Sequence, residues 1–337
     1  MPSHPDSPRV AVYTAGDANI FFPALVAFKT IREHNADLPF DYFMCFERDG
    51  LTPRMTELMD RYDIRFVDAA ELSQYGSIED LAIMTETVWP SEVFLNWVAP
   101  LYFAEAGYSH ALKVDYDILC VAPYALADIL MHSETFGANT WGQMLLKDGI
   151  STETLAKLGL PDYSTQSRTT YFNVGFVAIN LDRYVAGKVF ERFKEIYSAL
   201  QAQDGPVSVA EQAAICIITA VDRHKVRHLG REYNMRVTHF PELSGDLMPA
   251  IRNIHFLTSN KPWRPVSFRY LKHYVTSERS GLFFYRNIWL NAASKVDGFA
   301  EFVAERPLSE MQMVGLWSRV MTDLYAAHRT ALAGKKA

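Results

Sequence analysis

Cysteine is scarce in this chain: three residues in 337, at positions 45, 120 and 216. Their odd number and wide spacing exclude a disulfide framework and a CxxC metal pair. Three reduced, packed thiols are the expectation. Long apolar runs are absent too. Nothing approaches the roughly 18 residues that cross a bilayer, so no transmembrane helix is expected. Residues 1–8 are polar, contain Pro2 and Pro5, and offer no apolar stretch for a secretory signal. A cytoplasmic location is therefore expected. Basic residues are not in surplus: 33 Lys and Arg face 39 Asp and Glu, a net charge of -6. That balance argues against nucleic acid as the main partner. No Gly-Lys-Ser/Thr loop occurs, which argues against a P-loop enzyme. Between positions 13 and 19 there is a single glycine, Gly16, so the G-x-G-x-x-G of a nicotinamide oxidoreductase is missing.

What remains is an ordinary globular composition, 49% hydrophobic and 21% charged, with length enough for one large domain and an appendage. Residues 10–13 form a short apolar run that reads as a buried strand. Pro23 stands at the start of a helix predicted over 24–33. A strand over 41–46, a helix over 53–62 capped by Thr52, and a strand over 64–67 follow. This βαβαβ order predicts a parallel sheet with right-handed crossovers, hence an α/β fold. A helix over 91–106 capped by Ser91 leads to a strand over 111–114. Further on, the pattern predicts a strand over 172–180, helices over 184–201 and 209–221, and short strands over 237–240 and 254–256. The polar stretch 147–168 reads as a long excursion, a candidate acceptor loop.

The chemistry concentrates at Asp115-Tyr116-Asp117, just past the predicted strand 111–114. Ligands bind outside the carboxyl ends of strands in open α/β sheets. In an extended chain residues two apart point the same way, so both carboxylates would face one spot with Tyr116 turned away. A divalent cation relieves their repulsion, and hard oxygen ligands suit Mg²⁺ or Mn²⁺. The plain alternative is a solvated acidic pair. His255 lies in an apolar run and is followed by Lys261-Pro262-Trp263. It reads as a structural histidine or a third ligand, and Lys261 as a cation for phosphate. Gly175, after Asn173, interrupts an apolar run and marks close backbone approach or a bulge. Glu211-Gln212 opens a helix, where an acidic residue is ordinary dipole chemistry.

Taken in order, these blocks resemble glycosyltransferase family 8, which includes glycogenin, galactinol synthase and bacterial lipopolysaccharide galactosyl- and glucosyltransferases. The resemblance runs from about residue 10 to Trp263 and leaves the last stretch unmatched. It implies a GT-A-type Rossmann-like domain over 1–263, with a mainly parallel central sheet flanked by helices. A basic-aromatic and helical extension would follow over 264–337. It implies transfer of a hexose from a UDP-sugar, with retention, and Mn²⁺ (or Mg²⁺) bound by Asp115, Asp117 and His255. It further implies that Thr14, Asp17 and Asn19 line the nucleotide, with Asp17 at the base and Asn19 at the ribose. Asn173 would lie beside the donor sugar, Glu211 and Gln212 beside the reacting carbon, and Lys261 on the diphosphate. The chain departs from the family at Glu211, where Asp is usual, and at Thr258, where Gly is frequent. Asn96, Trp97 and Val98 stand where the family places an Arg. An atypical donor-sugar pocket is expected from that loss.

Residues 264–290 reverse the overall charge, with Arg264, Arg269, Lys272, Arg279 and Arg286 interleaved with aromatics. Two readings stand. One is a packed subdomain with a solvated cationic face. The other is peripheral contact with the inner face of a membrane, suited to a lipid-linked or saccharide acceptor. Two further functions share the same residues: a non-catalytic nucleotide-sugar-binding protein, and a metal-dependent sugar-nucleotide hydrolase with water as acceptor.

Overall fold

The computed structural model describes residues 8–77, 91–140, 150–159, 171–204, 207, 210–222, 224–237, 250–257, 261–263 and 281–305. The chain opens with β1 (Val10–Ala15), whose six residues are all buried. Helix α1 (Phe21–His34) starts earlier than its proline suggested, because Pro23 is tolerated within a first turn. Then come β2 (Phe40–Phe46), α2 (Pro53–Arg61), β3 (Ile64–Asp68) and the short α3 (Ala69–Leu72). Thr52 caps α2 as its sequence predicts, accepting from the Met55 N–H at 3.2 Å.

The single helix expected over 91–106 is divided. A 3-10 turn, Ser91–Phe94, precedes α4 (Leu95–Glu105). Pro100 sits inside α4 and has no N–H for the Asn96 carbonyl. The Tyr13 hydroxyl donates to that carbonyl at 2.7 Å, satisfying it from the neighbouring strand. Next are β4 (His110–Val114), β5 (Ile118–Cys120), α5 (Leu126–Ile129), β6 (Phe136–Thr140), α6 (Thr152–Lys157) and β7 (Phe172–Asn180). The helix expected over 184–201 is also two: α7 (Leu181–Ala186) and α8 (Val189–Gln201). Lys188 separates them in the left-handed region, φ 47°, which ends one helix and starts the other. After α9 (Ala210–Val221) come β8 (Val226–His228), β9 (Met235–Arg236), β10 (Asn253–His255), α10 (Gly281–Ala293) and α11 (Phe299–Glu305). A short strand β9 ends at Arg236, just before the strand expected over 237–240, of which residues 238–240 lie outside the described residues.

The main sheet has the order β3-β2-β1-β4-β7-β6-β8, and a second has the order β5-β10-β9. β1, β2, β3 and β4 run parallel, while β7 runs antiparallel to both β4 and β6. This is the mainly parallel α/β architecture expected. Two apolar clusters cover the two faces of the main sheet. β1 supplies Ala11, Tyr13 and Ala15 to one and Val10 and Val12 to the other, the period-two alternation of a strand. Cys45, Cys120 and Cys216 are buried thiols outside any disulfide, as their spacing suggested.

The last helices pack on the second cluster. The Trp289 ring lies 4.8 Å from Trp263, Phe302 stacks on Phe22 at 4.4 Å, and Arg54 pairs with Glu301. Of the basic-aromatic stretch, Tyr285, Arg286 and Trp289 are buried. Residues 264–280 lie outside the described residues, as does most of 147–168. No helix among the described residues is long and apolar enough to cross a membrane. Trp289→Ala removes a fully buried indole and should lower unfolding stability by about 3–5 kcal/mol in urea titration. An unchanged midpoint would mean that the final helices contribute nothing to the fold.

Candidate active site

β4 delivers the first part of the site. Beyond Val114 the Asp115 N–H donates to the Gly175 carbonyl of β7 at 2.8 Å. The chain then reverses into β5 through a turn, closed by the Ile118 N–H on the Asp115 carbonyl at 3.2 Å. The extended Asp115-Tyr116-Asp117 expected from sequence is therefore corrected. β5 belongs to the other sheet, so the backbone must turn between the two carboxylates. Their side chains converge through that turn. The Tyr116 ring lies 6.1 Å from Trp263, with the Lys261 ammonium 4.7 Å from its centroid.

β10 brings the imidazole. His255 is paired with Ile118 across the antiparallel ladder, and the Phe256 N–H donates to the Asp117 carbonyl at 3.0 Å. One ligand atom from each of Asp115, Asp117 and His255 lies within 4.8 Å of the others. His255 Nε2 stands 3.6 Å from Asp115 Oδ2 and 3.2 Å from Asp117 Oδ1. That nitrogen is buried and makes no hydrogen bond among the described residues. Two hard carboxylates and an unengaged imidazole nitrogen fit a divalent cation such as Mn²⁺ or Mg²⁺.

Lys261 contacts Asp117 Oδ2 directly. Burial pulls the Lys261 ammonium down, but Asp117 and then Tyr116 outweigh it and hold it above the ordinary lysine value. Burial pushes Asp117 up, yet Lys261 and then His255 hold its carboxyl well below the usual range. Both groups are therefore charged at neutral pH.

A second charged pair faces the same strand end. The Lys113 side chain is 2% exposed, and its ammonium donates to Asp115 Oδ1 at 2.5 Å and to the Val174 carbonyl at 2.7 Å. Glu211 lies nearby at the start of α9 and accepts from Trp97 Nε1 at 2.6 Å. Burial pushes the Glu211 carboxyl up to about 7; Lys113 opposes that, Asp115 adds to it, and the Trp97 bond opposes it. Trp97 thus holds Glu211 by a neutral bond, while Lys113 supplies positive charge from the strand.

Asn173 and Gln212 meet: Asn173 Nδ2 donates to Gln212 Oε1 at 3.0 Å. Asn173 Oδ1 in turn receives Asn234 Nδ2 at 2.9 Å. Gly175 resolves as close approach. A Cβ there would stand 2.2 Å from His255 Cε1 and 3.0 Å from Asn173 Oδ1. Thr14 is buried in β1, the parallel neighbour of β4, so the loop beyond it leaves the same end of the sheet. There Asp17 caps a 3-10 turn and accepts from the Asn19 N–H at 2.9 Å and from Asn19 Nδ2 at 3.2 Å.

Sequence reading missed Lys113, the Trp97 contact and Asn234. A signal for Lys113 existed: a lysine inside the apolar run Ala111-Leu112-Lys113-Val114, two before Asp115. Asn234 carries none, since an isolated asparagine after a tyrosine reads as a turn residue.

With this geometry in view, comparison with known proteins is decisive for the class. The profile described as glycosyl transferase family 8 matches residues 11–266. The chain belongs to this family and is a glycosyltransferase. Lipopolysaccharide 1,2-glucosyltransferase of Escherichia coli is 22% identical over 255 residues, covering 73% of this chain and 71% of that protein. The galactosyltransferase LgtC, solved with donor and acceptor sugar analogues, superposes with TM-score 0.59 at 15% identity. That match covers 86% of this chain and 96% of LgtC. The glycosyltransferase GlyE of Streptococcus pneumoniae gives TM-score 0.53 at 14% identity, over 89% of this chain and 63% of GlyE. The shared architecture is the GT-A fold.

Two measurements bear on the cluster. Gly175→Ala should displace the His255 ring and weaken Mn²⁺ binding about tenfold or more by calorimetry; unchanged affinity would remove His255 from the cation site. The second follows from Glu211. Its ordinary value is 4.5 and its folded value about 7. Between these the folded state binds the extra proton, so metal-free protein loses stability as pH rises through that window. Glu211→Gln should flatten this part of the thermal-unfolding profile.

Proposed function

We propose that this glycosyltransferase uses a UDP-sugar donor and a divalent cation, Mn²⁺ or Mg²⁺, and transfers a hexose with retention to a saccharide or lipid-linked glycan. The observation that carries the reading is the convergence of Asp115, Asp117 and the unengaged His255 Nε2 at the carboxyl end of a central strand. The cation, when bound, neutralises negative charge developing on the leaving diphosphate. Lys261, already drawn to this spot by Asp117, adds a point charge on the same oxygens. Electrostatic help of this kind is usually the largest catalytic contribution.

Thr14, Asp17 and Asn19 lie on or beyond the strand next to the acidic turn, a position suited to the nucleoside. Asp17 then reads the base and Asn19 the ribose. Asn173 and Gln212 present amides towards the donor sugar, and Glu211, neutral or charged near pH 7, stands beside the reacting carbon. No dedicated base is required, because the departing phosphate accepts the acceptor hydroxyl's proton as it attacks the same face. The named activity of the E. coli relative favours a lipopolysaccharide-type acceptor. Residues 1–263 form the catalytic domain in this reading. Residues 264–337 form an extension in which contact with an anionic membrane surface remains a function to test.

Calorimetric titration of UDP tests the reading directly. Binding should need Mn²⁺, vanish with EDTA, and fall by at least about tenfold in Asp115→Asn with Asp117→Asn. Metal-independent binding of equal strength would refute the cation site. Product analysis by NMR should then find the donor's anomeric configuration kept in the glycoside. Free sugar formed at the same rate with and without acceptor would identify a hydrolase instead. UDP binding without turnover of any UDP-sugar would leave a binding protein.

A further inference from the structure

Five side chains run in one hydrogen-bonded line that passes α9 and ends at the acidic turn: Tyr171, Gln212, Asn173, Asn234 and His255. Gln212 Nε2 donates to the Tyr171 hydroxyl, and Gln212 Oε1 accepts from Asn173 Nδ2. Asn173 Oδ1 accepts from Asn234 Nδ2, and Asn234 Oδ1 faces His255 Nδ1 at 2.7 Å. Such a line of amides has two senses, because each amide can be reversed together with its neighbours.

Two backbone groups remove that ambiguity. The Val174 N–H points at Gln212 Oε1 at 3.3 Å, and the Gly175 N–H points at Asn173 Oδ1 at 3.1 Å. A backbone N–H can only donate. Both atoms it meets must therefore be oxygens, which sets the sense of the line. Asn173 Oδ1 then needs the Asn234 amino group, leaving Asn234 Oδ1 for the imidazole. A neutral imidazole facing an oxygen at Nδ1 carries its proton there, and Nε2 keeps its lone pair. Nε2, buried and without a hydrogen bond 3.2 Å from Asp117 Oδ1, is then a lone pair open to a cation.

We propose that Asn234 is a positioning residue that locks His255 in the Nδ1–H tautomer before any cation arrives, and ties that choice to the amides of the donor-sugar side. Asn234 and His255 are 1% and 0% exposed, so water is not available to take the amide's place. Loss of Asn234 frees His255 to protonate at Nε2 and donate to Asp117, closing the position that a cation would take. It also takes the Asn234 donor from Asn173 Oδ1, leaving the Gly175 N–H alone to hold that amide. This inference rests on the proposed cation site for its consequence, but the tautomer itself does not.

The test is long-range ¹H–¹⁵N NMR of metal-free protein at mildly alkaline pH, which distinguishes the Nδ1–H, Nε2–H and doubly protonated rings. The His255 resonances are identified among ten histidines by their loss in His255→Ala. Wild type should show the Nδ1–H form. Asn234→Leu should convert it to the Nε2–H form and weaken Mn²⁺ binding about 10–100-fold by calorimetry. Asn234→Asp keeps an acceptor for Nδ1–H, so it should retain that tautomer and bind Mn²⁺ within about threefold of wild type, well inside that penalty. It gives Asn173 no donor, so its turnover with a UDP-sugar should stay low. An Nε2–H form in wild type, or an Nδ1–H form surviving in Asn234→Leu, overturns the proposal. If wild type binds no Mn²⁺ yet Asn234→Leu abolishes an Nδ1–H form, the tautomer lock is upheld and the cation reading falls.

Discussion

Asp117 is buried with two other ionisable groups against it, and a buried carboxylate that is not compensated is strongly destabilising. Its compensation comes from far along the chain: Lys261 is 144 positions away. The second sheet provides the means. β5 leaves the acidic turn, β10 pairs against it, and the residue that follows His255 bonds back to the Asp117 carbonyl. Trp263 then packs between Tyr116 and Trp289, so the helices after position 281 are fastened to the same turn. Charge at one strand end thus organises β5, β10 and the final helices together.

The same turn explains why the two carboxylates are not equivalent. Asp117 faces Lys261 and His255 and is almost wholly enclosed. Asp115 is partly exposed and is held from beneath by Lys113, itself enclosed in β4. One oxygen of each carboxylate is committed to an ammonium, and the other is turned towards the imidazole. Neutral pairing of this kind keeps the cluster soluble in the fold without a cation, while leaving one nitrogen and two oxygens for it. Glu211 lies at the edge of this balance. Trp97 gives it a hydrogen bond but no charge, which is why its carboxyl is raised and not lowered. The positive charge nearest Glu211 comes from Lys113 on strand β4.

Much of the architecture was legible in the residues. The βαβαβ opening, the Thr52 cap, the strand 172–180 and the helix opening at 210 all follow from periodicity and capping, which are local. Failures were local in a different sense. Helix 91–106 is α-helical only from Leu95, because its first residues, Ser91–Phe94, wind as a 3-10 turn that capping and periodicity do not distinguish from a first α-turn. Helix 184–201 split at Lys188, a residue with no sequence mark for a left-handed conformation. The acidic turn was read as extended because two-residue alternation assumes that a strand continues, and here it stops at Val114. Within the site, Asp115, Asp117, His255 and Lys261 stood out by spacing and resemblance, whereas Asn234 had no distinguishing pattern.

By itself the sequence determined the fold class, the strand that carries the acidic pair, and the order of the blocks that mark a family 8 glycosyltransferase. These are consequences of hydrophobic period, caps and short motifs, all encoded within a few neighbouring residues. The tertiary structure alone decided which lone pairs are free, which carboxylate is enclosed, and which cation compensates which anion. Those outcomes depend on atoms brought together from strands distant in the chain, and on the directionality of hydrogen bonds that only a folded backbone can fix.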